Sequence, residues 1–145
     1  MFSARTALEA KFSHQYVIAR ALLDRSVRLK DFEHDAHLEP AIRALLPRIT
    51  ARPHPDMPDD SPQQWGAEVI VTLNGGRRVS RRVDDLVGRG GDNAMTRGEL
   101  WEKFSDCAER SLPRSQIAPL FDRLGALESE ADIRETVKLL EGLPN

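Results

Sequence analysis

Apolar residues along this chain fall into short periodic runs that change their period partway. Phe12, Tyr16, Ala19, Leu22 and Leu23 recur at helical spacing, with Gln15, Arg20 and Asp24 assigned to the opposite side, so the spacing predicts an amphipathic helix over 12–23. Val27, Leu29 and Phe32 alternate with Arg28 and Asp31, which reads as a short extended link. A second helix follows, with Pro40 in its first turn, where a missing amide proton costs little, and with Leu38, Ile42, Leu45 and Leu46 as its buried side. Pro53, Pro55, Pro58 and Pro62, mixed with Asp56, Asp59 and Asp60, cannot sustain a helix or a central strand and mark a surface loop.

Beyond that loop the period drops to two. Ala67, Val69, Val71 and Leu73 alternate with Glu68, Ile70 and Thr72, predicting a strand with one buried face. Asn74-Gly75-Gly76 tolerates positive φ, and the alternation resumes at Val79, Arg81 and Val83, so the pair reads as a β-hairpin. Gly88, Gly90 and Gly91 mark a flexible passage, and Thr96 with Glu99 forms a capping box that opens a helix carrying Leu100, Phe104, Cys107 and Ala108 on one face. Two more helical patterns follow, one on Ile117, Leu120, Phe121 and Leu124, the other on Ile133, Val137 and Leu140. The expected fold class is α+β: a hairpin-containing sheet packed by helices, then a helical C-terminal segment.

Composition narrows the function classes. The 145 residues suffice for one domain or a small domain with an appended helical piece. A net charge of −2 argues against nucleic acid as the main partner, although Arg77, Arg78, Arg81 and Arg82 form a local basic cluster that is either an anion contact or a solvated strand face. The single cysteine, Cys107, excludes an internal disulfide and suits a reducing cytoplasm, and its place on an apolar helix face predicts a buried, inert thiol. Neither a signal-peptide pattern nor a run of membrane-spanning length is present, so the expectation is a cytoplasmic protein without a membrane partner. His34 and His37 stand three apart, but no third ligand accompanies them, and no metal site or cofactor is expected.

The block Glu9-Ala10-Lys11-Phe12-Ser13-His14-Gln15-Tyr16, followed by Ala19, Ala21, Leu22, Leu23 and Asp24, resembles the pattern of the MmgE/PrpD family, in which an acidic residue and Ala-Lys-Phe-Ser lead into a helix. The likeness continues collinearly through Phe32, Pro40 to Leu46, the hairpin, and the stretch from Gly88 to Lys103-Phe104. His14, Arg25 and Ala94 depart from it, standing where the family more often has an apolar residue, a glycine and a proline. The resemblance implies the smaller α+β domain of a two-domain protein over 1–87. It also implies that 88–145, a glycine-containing linker and C-terminal helices, would pack on a large helical domain that lies outside this chain and holds most acid/base residues. Family members dehydrate, isomerise or decarboxylate small di- and tricarboxylic acids such as 2-methylcitrate, a substrate of propionate metabolism, by abstracting a proton next to a carboxylate.

On that reading Lys11 and Ser13, at the start of the first long helix, are expected to hold a substrate carboxylate, since free amide protons and the helix dipole favour an anion there. The residues alone allow equally that Ser13 caps the helix and Lys11 is solvated. Tyr16, one turn after Phe12, either offers its hydroxyl to the same ligand or is a core aromatic. His14 is a possible acid or base, or an ordinary surface residue. Asp92 and Asn93, after the glycines, either approach a ligand or form a hinge. Two functions follow: part of a lyase or isomerase, inactive alone, or a non-catalytic binding or dimerisation module, with a homodimer or the helical domain as partner.

Overall fold

In the computed structural model the described residues are 4–58, 60, 65–88 and 93–140. Six α-helices and one antiparallel pair of strands are present among them, an α+β arrangement. α1 (Ala7–Lys11) starts at Thr6, whose hydroxyl accepts the Glu9 N–H at 3.1 Å. α2 (His14–Asp24) starts at Ser13 and ends at Arg25, which adopts a left-handed conformation with φ 57°. α3 (Pro40–Leu45) has Pro40 at its first position. These helices enclose a small core of Ala4, Ala10, Tyr16, Ala19 and Ile42, extended by Phe32, Leu45, Leu46 and Ile49.

β1 (Ala67–Thr72) pairs with β2 (Arg78–Val83) in a register that sets Ala67 opposite Val83 and Thr72 opposite Arg78. Gly75 and Gly76 both have positive φ, as the tight turn requires. α4 (Arg97–Ala108), α5 (Arg114–Gly125) and α6 (Ile133–Val137) complete the chain. Thr96 and Glu99 form the expected reciprocal capping box at α4. Trp101 and Phe104 pack their rings on Phe121 at 5.1 and 5.3 Å, and Ile117 and Leu120 are buried beside them. α4 is also tied to the N-terminal helices: the Leu29 N–H donates to Asp106 at 3.0 Å, and Arg110 pairs with Glu33 at 2.9 Å.

Several expectations from periodicity are corrected here. The predicted helix over 12–23 breaks at Ser13, so Phe12 closes α1 instead of joining the Tyr16 face and lies 82% exposed. Arg20, assigned to the polar side, is buried, because a position four residues after Tyr16 shares its face. Leu29–Phe32 is a turn of 3-10 helix, not an extended link. Leu38 precedes α3 and is exposed. β1 lacks a fully buried face: Val69 and Val71 are half-buried while Ile70 and Leu73 are exposed, since the described residues supply only two strands.

On α4, Leu100 and Cys107 are exposed, the latter against the expectation of a buried thiol, because Trp101 and Phe104 define the packed side. Leu124, Ile133, Val137 and Leu140 are exposed as well, and in α6 it is Thr136 that turns inward. Gly90, Gly91 and Asp92 lie outside the described residues.

Candidate functional site

The junction of α1 and α2 carries the residues singled out by sequence. α1 closes with the Phe12 N–H donating to the Glu9 carbonyl at 3.2 Å and the Ser13 N–H donating to the Ala10 carbonyl at 3.1 Å. Ser13 then takes an extended conformation, and its hydroxyl accepts the Tyr16 N–H at 3.2 Å. That is N-cap geometry, which a serine supplies because its short side chain reaches the third amide of the new helix. The Ser13 hydroxyl proton is directed to Gln15 Oε1 at 3.4 Å, and the residue is nearly buried. Lys11, the last residue of α1, is exposed, as is His14.

Tyr16 is fully buried. Its hydroxyl donates to the Asp31 carbonyl and accepts from Arg20 Nε at 3.0 Å, while its ring packs on Phe32 at 5.6 Å between centroids. Of the three residues proposed for substrate, Lys11 alone reaches solvent freely; Ser13 and Tyr16 have their hydroxyls engaged by the protein itself.

Arg20 was missed by the pattern reading, although it organises this region. Its guanidinium holds Glu39 through both terminal nitrogens, at 2.7 and 3.0 Å, and also reaches the Ala36 carbonyl at 2.6 Å and Asp24 at 3.3 Å. The paired Glu39 carboxylate raises its pKa further above the ordinary arginine value, so the charge is permanent. α2 is thereby bolted to the segment that enters α3. The signal was there in the spacing: Tyr16 and Arg20 stand one turn apart.

His37 is also buried. Its Nε2 bonds the Arg5 carbonyl at 3.1 Å and therefore carries the proton, and Nδ1 has no protein partner among the described residues. His34, with φ 48°, sits outside any regular helix. No group of three or more His, Cys, Asp or Glu side chains that could hold a metal ion occurs among the described residues.

Shallow depressions lie elsewhere, one of about 480 Å³ along Leu124–Ser129 and one of about 300 Å³ on the hairpin at Glu68, Ile70, Arg78, Val79 and Ser80. Neither includes Lys11, Ser13 or Tyr16. Among the described residues no helix is long and apolar enough to cross a membrane.

Comparison with known proteins adds to this geometry. A family model described as the MmgE/PrpD C-terminal domain matches residues 3–123. Cis-aconitate decarboxylase of Mus musculus is 28% identical over 134 residues, which cover 92% of this chain and 27% of that protein. Cis-aconitate decarboxylase of Homo sapiens is 28% identical over 137 residues, again 92% and 27%. The chain thus spans about a quarter of the length of these relatives.

Proposed function

Because this chain belongs to the MmgE/PrpD family, matching its C-terminal domain over residues 3–123, we propose that it is the smaller domain of a lyase or isomerase acting on small di- or tricarboxylic acids. The observation that carries this reading is the family match itself, which runs through the α1–α2 junction, the hairpin and α4. Cis-aconitate in the relatives' name and 2-methylcitrate are both compact polycarboxylates, so either meets the same demand for a cation and oriented amides. Lys11 supplies the exposed ammonium, and the first turn of α2, fixed by the Ser13 cap, supplies amide protons and the positive end of the helix. Tyr16 contributes by holding that turn in place, and would meet substrate only by leaving the Asp31 carbonyl. The base that abstracts the proton comes from a helical domain, on which the helices of 88–145 pack, and the 145 residues alone do not turn over substrate. A reducing cytoplasm is the compartment that suits the exposed Cys107.

Titration of the 15N-labelled chain with cis-aconitate and with 2-methylcitrate tests this. Amide shifts confined to Lys11–Gln15 and lost in Lys11→Ala are expected, without product formation. Unperturbed amides there at saturating acid, or turnover by the isolated chain, would refute the arrangement.

The second reading, a binding or dimerisation module, rests on the exposed Leu100, Leu124, Ile133, Val137 and Leu140 of the C-terminal helices. Light scattering on a sizing column decides it: a stable monomer with no self-association counts against a homodimer.

A further inference from the structure

The hairpin ends in an edge strand whose chemistry the proposed lyase role leaves unused. Leu73 donates its N–H to the Arg77 carbonyl at 2.8 Å, and antiparallel pairing alternates from there. Val79, Arg81 and Val83 therefore turn their backbone groups toward β1, and Arg78, Ser80 and Arg82 turn theirs outward. Among the described residues no other strand takes those outward N–H and C=O groups. Four arginines crowd this one strand and its turn in a chain whose net charge is −2. Arg82 is engaged by Asp56 at 3.2 Å and Asp84 at 2.6 Å, whereas Arg77, Arg78 and Arg81 make no ion pair among the described residues. The apolar residues of the same ribbon, Ile70, Val79 and Val83, are each 40% exposed or more.

Arginines on an edge strand also discourage copies of a protein from pairing with one another. That function selects a partner instead of excluding all: a second β2 would set arginine against arginine, while an acidic strand would neutralise them. We infer that β2 is a docking edge for an extended peptide segment in which acidic and apolar residues alternate. The segment adds a third strand through the backbone of Arg78, Ser80 and Arg82. Its carboxylates meet Arg78 on the face shared with Ser80 and Glu68, where the hairpin depression lies, and its apolar side chains cover Val79 and Val83 on the opposite face. Nucleic acid fits less well, since β2 offers no aromatic side chain for bases to stack on.

Fluorescence anisotropy with a labelled peptide of alternating glutamate and valine, run beside an oligothymidylate of equal charge, tests this on the whole chain. Saturable peptide binding is expected, weakened at least about tenfold in Arg78→Glu, since the charge-assisted bonds to the peptide's carboxylates are lost. Hydrogen exchange on the unaltered chain supplies the independent readout. The peptide should slow the amides of Arg78, Ser80 and Arg82, whose protons face outward, more than those of Val79 and Arg81, which are already bonded to β1. No peptide binding, equal or tighter binding of the oligonucleotide, or binding without that alternating protection would each overturn strand addition. Pairing of two copies through β2 would overturn it too.

Discussion

The N-terminal helices and the hairpin contain similar apolar side chains and use them differently. Tyr16, Ala19 and Ile42 are sealed between three short helices, and even an arginine is drawn in among them. Ile70, Val79 and Val83, no less hydrophobic, stay substantially exposed because the two-stranded ribbon has too few described neighbours to cover them. The same residue type is therefore a source of stability in one region and available contact surface in the other. What decides is whether a second layer stands opposite, not the period of the pattern.

The largest test of this difference substitutes one residue in each region. Ile42→Ala should cost about 2–5 kcal/mol, because a fully buried side chain leaves a cavity that three helices cannot wholly close. Val79→Ala should cost well under about 1 kcal/mol, since the exposed side chain loses little burial. Urea denaturation of both variants checks the pair, and equal losses would mean that the hairpin is covered in solution as the helices are.

Next in size comes the buried cation. Replacing Arg20 with Met removes the link between α2 and Glu39 and leaves the Tyr16 hydroxyl without its donor. About 1–3 kcal/mol should be lost. Less than the full cost of breaking a buried pair is expected, because Glu39 is half-exposed and water can replace its partner. A variant as stable as the parent chain would show that Arg20 fills space without fastening the helices.

Much of this architecture was legible in the residues. Asn74-Gly75-Gly76 between two alternating runs placed the hairpin, Pro40 placed the start of α3, and Thr96 with Glu99 placed α4, because each of these is a local device whose geometry depends on few neighbours. Burial was less legible. Phe12 and Tyr16 share helical spacing, but the Ser13 cap resets the helix between them, so one is exposed and the other sealed. Cys107 and Leu100 sit on an apolar-looking face of α4, yet Trp101 and Phe104 find Phe121 on a neighbouring helix and define the inner side. The engagement of the Tyr16 hydroxyl by the Asp31 carbonyl depends on a turn fifteen residues away, which no spacing within α2 could reveal.

A smaller effect probes the joint between the N-terminal helices and α4. The Asp106 carboxyl is held below its ordinary pKa, first by the Leu29 N–H and then by the Arg110 charge. A depressed carboxylate adds stability above its unfolded pKa, about 3.9, and that contribution disappears as pH falls through the lower folded value. Asp106→Asn should thus cost about 1 kcal/mol at neutral pH. The deficit should hold down to about pH 4 and close below it. Urea midpoints across that range check the sign, and a deficit that persists unchanged in acid would locate it in packing instead of charge.

The smallest expected change has the opposite sign. Arg25 ends α2 in the left-handed region with φ 57°, a conformation that favours glycine. A side chain there crowds the following carbonyl, at a cost of about 1–2 kcal/mol for an ordinary L-residue. Glycine relieves that crowding but gives the unfolded chain more freedom, which offsets part of the gain by about 0.5–1 kcal/mol. Arg25 is exposed, so its removal leaves no cavity. Arg25→Gly should therefore raise stability by about 0.5 kcal/mol, a modest upward shift of the melting temperature by calorimetry. Val79→Gly, placed in an extended strand with no such strain to relieve, should lower it, so the same substituent separates a helix end fixed by backbone geometry from a strand that depends on its side chains. A fall on Arg25→Gly would mean that the arginine side chain stabilises the end of α2 by more than its backbone strain costs.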